Sequence, residues 1–347
     1  HLFTLFGKEH PHENRGIPGD IRAVAKIEEI HPDAILHDSH DEDFLHLQPS
    51  RFPLPVAGLA IRVRRTQDEQ RLADALHKLL EEDPCLALES NQTTRETVLR
   101  GLSELHLRTA LEQLQARYRV ELDTSKPSVA YRETITTQAN GQHRHKKQTG
   151  GAGQFGEVML RVEPLPRGAG FQFASAVVGG AIPGTLIPAV EKGVREGMAA
   201  GAIAGYPLVD IKVVVTDGKH HPVDSKEIAF VMAGRKAVLA AARDARPVVM
   251  EPIVNLEVQV PQDAVGGVTG DLAGRRGRVL GTRSLPLGRI VVMAQAPLAE
   301  LDDYPERLKA LTGGTATYTL ELAEYEPVPE PIQQQLCRAF KRGGGED

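Results

Sequence analysis

The chain has 347 residues, too many for one small core, so about two to four domains are expected. Charged residues make up 25% and the formal net charge is −5, which excludes a chain that coats nucleic acid by bulk charge and leaves only local basic patches for that purpose. Two cysteines, Cys85 and Cys337, far apart and without CxxC spacing, exclude a disulfide framework and a cysteine zinc site and point to a reducing compartment.

No run of about 18 apolar residues is present, so no membrane span is expected. The opening HLFTLFGKEH lacks the basic and apolar segments of a signal peptide, which gives a cytoplasmic expectation. The absence of an initiator methionine suggests a chain cut from something longer.

In chain order, residues 1–49 hold a short apolar run at 2–6, a Pro18-Gly19-Asp20 turn and a second apolar segment at Ile21, Val24 and Ile27. This stretch is too small and polar for a complete domain. From Ala57 the pattern alternates, with Leu59, Ile61 and Val63 on one face of a strand. Thr66 with Glu69 reads as a capping box for a helix through Leu72, Leu76, Leu79 and Leu80 that stops at Asp83-Pro84. Strands at 85–89 and 97–100, a helix over 103–117 and a strand at 118–122 complete a βαββαβ order, the ferredoxin-like plan. The same order returns over about 250–326: strand 255–260, helix 262–276, a short apolar stretch at 279–280, strand 290–294, helix 298–311 and strand 318–322.

Between these units, residues 129–249 read as a different domain. Strands are expected at 157–162 and 211–215, with a helix at 187–198 lined by Ile187, Val190, Val194 and Met198. A second helix, 226–242, is expected to be capped by Asp224 with Glu227 three residues on. The fold class is therefore α+β and multidomain, ending in a Gly-rich tail.

Two segments carry candidate chemistry. The first is TDGKHHPVDS, in which Lys219, His220 and His221 sit in a loop between a strand and a helix, where partners are commonly met. Adjacent histidines do not readily converge on one metal, and no HExxH or Cys/His grouping accompanies them. No GxSxG elbow supports a nucleophile at Ser225. The second is HRHKKQTGGAGQFGEV, where Arg144, Lys146 and Lys147 precede glycines that let a backbone come close. It has neither GxxxxGK[ST] nor a strand-to-helix turn, so a phosphate cradle is not expected. A solvated hairpin remains one reading. The other is contact with RNA phosphates and exposed bases through cations, glycine backbone and Phe155, with the histidines acting by hydrogen bonds.

Taken together, QTGGAGQFGEV, FQFASAVVGGAIPGTLIPAVEKGVREGM, DGKHHPVDSKEIAF, EPIVNLEVQVP and GDLAGRRGRVLG resemble the C-terminal half of elongation factor G, a translational GTPase. EEDP at 81–84, GLSELHL at 101–107, KPSVAYRETI at 126–135 and LTGGTATYTLEL at 311–322 extend the resemblance over nearly the whole chain. It implies the end of a β-barrel domain at 1–49, a ferredoxin-like domain III at 50–128, an elongated tRNA-mimicking domain IV at 129–249, a ferredoxin-like domain V at 250–328 and a C-terminal tail at 329–347.

The resemblance also implies a tip formed by Gln148, Thr149, Gly150, Gly151, Ala152, Gly153, Gln154, Lys219, His220 and His221, which enters the ribosomal decoding centre beside the tRNA–mRNA helix. His221 matches the family's tip histidine in its YHxVDS context, with His220 in place of the tyrosine and Lys219 in place of the preceding serine. Ala152 stands where many members have arginine. The implied partners are ribosomal RNA of both subunits and the tRNA–mRNA complex, with neither DNA nor membrane. No catalytic, cofactor or metal residue is expected in this chain, GTP and Mg²⁺ belonging to a GTPase domain that would precede it. The implied role is the arm that drives translocation; a paralogue in recycling or protection, or a stand-alone ribosome-binding protein, are the alternatives.

Overall fold

The structure is a computed structural model; it describes residues 1–342 apart from 8, 18, 28–29, 31–32, 38, 51, 92 and 148–152. Residues 1–53 and 54–347 form two compact units. In the first, β1 (Leu2–Phe3) pairs antiparallel with β2 (Ala23–Val24), and Phe6, Ile21 and Phe44 expose their side chains.

The second unit begins with β3 (Ala57–Val63), α1 (Glu69–Glu82), β4 (Ala87–Asn91), β5 (Glu96–Gly101), α2 (Glu104–Tyr118) and β6 (Leu122–Ser125). The sheet order β4-β5-β3-β6 is that of a βαββαβ unit. Ile61 and Leu99 on the sheet meet Leu76 and Leu79 of α1 and Leu107 and Leu114 of α2, so the alternating and 3.6-residue patterns close on one core.

Local details differ from the sequence expectation. The Thr66–Glu69 capping box does not form, because Thr66–Asp68 coil into a 3₁₀ turn and α1 starts from Asp68 without a side-chain cap. Ser103 does cap α2, accepting the N–H of His106 at 3.2 Å. The expected strand at 118–122 is displaced: Tyr118 is the last residue of α2, Arg119 closes the helix in a left-handed conformation, and β6 starts only at Leu122. Cys85 and Leu86 precede β4.

The chain continues through β7 (Arg132–Ile135), β8 (Ala139–Lys147), β9 (Gln154–Pro164), β10 (Phe171–Ser175), α3 (Ile187–Ala200), β11 (Ile211–Lys219) and α4 (Glu227–Asp244). Four of these strands form a sheet in the order β10-β11-β9-β8, with β10 and β11 parallel across the α3 crossover. Val158, Leu160, Val162, Val213 and Val215 point from one face into a core shared with Val190, Val194, Phe230 and Val238 of the two helices. The helices touch backbone to backbone, since a Cβ on Gly193 would lie 2.0 Å from the Val231 carbonyl oxygen. A carboxylate organises the base of this layer. Glu133, fully buried, accepts the N–H groups of Ala202 at 2.6 Å, Ile203 at 3.0 Å, Ala204 at 2.8 Å and Tyr206 at 3.1 Å.

The last portion comprises β12 (Pro247–Pro261), α5 (Val265–Gly274), β13 (Arg278–Leu285), β14 (Arg289–Pro297), α6 (Tyr304–Thr312), β15 (Thr317–Pro327) and α7 (Glu330–Arg342). Its order β13-β14-β12-β15 repeats the βαββαβ plan, and β7 pairs with the start of β12. The expected boundary at 249/250 therefore falls inside a continuous strand. The stretch 329–347, read as a tail, carries helix α7 over most of its length. Ile332, Leu336 and Cys337 of this helix pack on Ala204, Val249 and Val328. Those three side chains recur at helical spacing, which explains why a polar segment holds a helix.

Candidate nucleic-acid interface

Antiparallel registry brings the two candidate segments to one end of the four-stranded sheet. Strands β8 and β9 form a hairpin whose last pair is Lys147 with Gln154. On the other side of β9, Lys219 at the end of β11 lies opposite Glu157. Gly153, Gln154, Lys219, His220 and His221 thus share this end, whereas Gln148, Thr149, Gly150, Gly151 and Ala152 lie outside the described residues.

Main-chain and side-chain hydrogen bonds join the two segments. The N–H of Phe155 donates to the Asp224 carbonyl at 2.9 Å, the Ser225 hydroxyl donates to the Phe155 carbonyl at 2.9 Å, and the His221 N–H donates to the Ser225 hydroxyl at 2.8 Å. The Phe155 and His221 rings meet edge to face, 6.5 Å between centroids. Asp224 does not cap α4 as its sequence position suggested; Lys226 is the N-cap residue and no side chain caps the helix. The Asp224 carboxylate instead faces His221, Oδ2 lying 3.5 Å from Nδ1, and fills the space beside Gly153.

A third loop, absent from the sequence reading, completes the end. His220 Nδ1 donates to the carbonyl of Ala181 at 3.1 Å, tying the β10–α3 connection to the β11–α4 connection. Ile182 from the same connection packs over Gly218, where a Cβ would sit 2.5 Å from Ile182 Cδ1 and 2.4 Å from the Glu157 carbonyl oxygen. Val178, 85% exposed, crowns this loop. A tether to a main-chain carbonyl has no side-chain signature in sequence; the only available signal was the Gly179-Gly180 pair, and both residues have positive φ.

Charge is graded along the arm. Arg144 donates to the buried Glu157 carboxylate at 2.9 Å, so its charge is spent on a structural pair. Lys146, Lys147 and Lys219 are exposed and, among the described residues, form no ion pair. Burial, followed by the positive charge of Lys236 and the nearby His145, holds the His143 imidazole below its ordinary titration range. The end of the sheet can therefore offer cations and ring nitrogens to a polyanion.

Among the described residues no three His, Cys, Asp or Glu side chains converge as metal ligands. The glycine-rich segment leads into strand β9 and not into a helix N-terminus. No described helix is long and apolar enough to cross a membrane.

Comparison with known proteins adds three family matches: elongation factor G domain III over residues 52–126, domain IV over 127–246 and the elongation factor G C-terminus over 248–336. A Thermotoga maritima protein called elongation factor G-like protein is 38% identical over 342 residues, 99% of this chain and 50% of that protein. A crystal structure of a Thermus thermophilus protein superposes with a TM-score of 0.80 at 40% identity, covering 99% of this chain and 51% of that one. The chain thus spans about half the length of the curated relative it matches.

Proposed function

The chain belongs to the elongation factor G family, and from that premise we propose that it is the ribosome-contacting arm of a translational GTPase that promotes translocation of tRNA and mRNA. The observation that carries this reading is the convergence of Gly153, Gln154, Lys219, His220 and His221 at one sheet end, fixed by the Phe155–Asp224 and Ser225–Phe155 bonds.

The reaction belongs to the part of the factor that precedes this chain, together with its GTP and Mg²⁺. The arm contributes position. Its cations draw it to RNA phosphates, and its ordered loops exclude one placement of the tRNA–mRNA helix while hydrogen-bonding another, so reorientation of the factor biases which placement is stable. The partners are ribosomal RNA at the decoding centre and the tRNA–mRNA complex, and the site of action is the cytoplasm.

The test is a pair of rates measured on ribosomes with the complete factor. His221→Ala is expected to slow translocation by about tenfold or more, since it removes a contact to a moving partner worth about 1.5 kcal/mol, while GTP hydrolysis changes by less than about twofold. Equal loss of both rates would overturn the positional role. A wild-type factor that hydrolyses GTP on ribosomes without moving tRNA would turn the reading towards recycling or protection.

A further inference from the structure

The arm and the C-terminal βαββαβ unit share strand β12, and the pairing of that strand lapses at one place. Met250 pairs with Arg132 of β7 on one edge and with Pro327 of β15 on the other, while Ile253 pairs with Pro297 of β14 and with Glu324 of β15. β7 and β14 therefore lie on the same edge, and Glu251 and Pro252 between them are paired only to β15. Pro252 has no N–H to donate. Residues held from one side only, between two fully paired stretches, are where such a sheet bends most easily. A buried ion pair sits at this lapse. Glu251 is 2% exposed, and Arg276 donates to both of its carboxylate oxygens, Nη1 at 2.6 Å and Nη2 at 2.9 Å. Arg276 Nε also donates to Glu300 Oε1 at 2.9 Å, so the guanidinium has one orientation. The backbone of Arg276 is left-handed, φ 57°, one residue beyond the C-cap of α5, where glycine is the favoured residue. An arginine there carries backbone strain, and the contacts of its side chain offset it. Helix α7 spans the same joint through apolar side chains on Ala204 and Val249 and a bond from the Val249 N–H to Gln333. Apolar contact is non-directional, so it holds the parts together without setting the angle between them.

We propose that Arg276 is a positioning residue for the arm: by gripping Glu251 in the pairing lapse it fixes the angle between the sheet that carries the tip and the C-terminal sheet. Release of Glu251 lets the arm swing about Glu251 and Pro252. A buried ion pair adds little net stability over apolar side chains of similar size, so what this one supplies is a single orientation. Lysine cannot replace it fully, because only the guanidinium fork reaches both Glu251 oxygens and Glu300 together. The lock belongs to the chain itself and does not depend on what the tip meets.

Distances between two spin labels measure the angle. The labels are carried by Val178→Cys on the arm and Leu287→Cys on the β13–β14 turn, both exposed positions, in a chain whose own cysteines are removed by Cys85→Ala and Cys337→Ala. With Arg276 and Glu251 in place, one narrow distance distribution is expected; a broad one would overturn the lock. Arg276→Ala leaves the Glu251 carboxylate without its partner, and the displaced population should rise by about tenfold or more, the equivalent of a lost charge-assisted hydrogen bond. An unpaired buried carboxylate also destabilises the fold, so the double variant Glu251→Leu with Arg276→Leu separates the two effects. It fills the space without charge, should melt close to wild type and should still give a broad distribution. Arg276→Lys keeps the charge and most of the packing and should broaden the distribution less. A distribution as narrow as that of the unsubstituted pair, in any of these variants that folds, would overturn the positioning role of Arg276.

Discussion

Ser225 and Phe155 hold the two segments of the arm's end together: the Ser225 hydroxyl donates to the Phe155 carbonyl at 2.9 Å while accepting the His221 N–H at 2.8 Å. One hydroxyl thereby satisfies main-chain groups on two connections separated by 70 residues of sequence. Ser225→Ala removes both bonds but leaves the Phe155 N–H to Asp224 bond intact. At about 1 kcal/mol net for each bond, the local opening free energy should fall by about 1–2 kcal/mol with little change in global unfolding. Amide exchange at His221 should accelerate by about tenfold, and unchanged protection there would show that the loops are held by something else.

Gly218, near the end of β11, is a position that leaves no room for a side chain. A methyl group would stand 2.4 Å from the Glu157 carbonyl oxygen and 2.5 Å from Ile182 Cδ1. Ile182 can rotate; the β9 backbone cannot without disturbing its pairing with β11. Gly218→Ala should therefore cost about 1–3 kcal/mol and displace Lys219 and His220 from their register. Thermal melting and ribosome binding should both weaken. A variant that melts like wild type would mean that the strand end is already free to shift.

The sequence was most legible where apolar spacing is regular, and least where polar contacts decide. Leu59, Ile61 and Val63, and the alternation through Asn255 to Val260, placed both βαββαβ units, because one buried sheet face imposes a period of two. Strand β8 escaped notice because HRHKK is polar on both faces; it belongs to the sheet through its registry with β9 and lies against α4 beside Gly141. Thr66 and Asp224 looked like helix caps by spacing alone, yet a 3₁₀ turn absorbed the first and the carboxylate of the second lies beside Gly153 and His221. The glycine-rich hairpin and the double histidine were visible as candidates. Their union with the Ala181 connection was not, since it runs through carbonyl groups that every residue possesses.

Glu133 offers a test of the arm's base. Its carboxylate takes four N–H groups from the 202–206 connection, the same connection on which α7 rests through Ala204. Glu133→Ala would strand those donors in a dry interior and should destabilise the fold by about 3 kcal/mol or more. Glu133→Gln has the same shape, but its NH₂ group would oppose amide donors, so it should recover only part of the loss. Denaturant unfolding at neutral pH measures both. Stability equal to wild type in the alanine variant would mean that water enters the site freely.

Acid should weaken the arm through His143. Burial, and then the charges of Lys236 and His145, lower the His143 pKa from its ordinary 6.5, so the folded state resists a proton that the unfolded chain accepts. The sign follows from proton counting: between the two pKa values the unfolded state binds more protons, and stability falls as pH drops from above 6.5 towards the folded value. Above that window the ring is neutral in both states and contributes no slope. His143→Gln removes the titration and should flatten the part of the stability profile just below pH 6.5, while leaving behaviour at about pH 8 within about 0.5 kcal/mol of wild type apart from packing. Denaturant melts of both proteins at about pH 5.5, about 6.5 and about 8, which bracket the ordinary histidine value, measure the difference. Parallel profiles for the two proteins would place the acid sensitivity elsewhere on the arm.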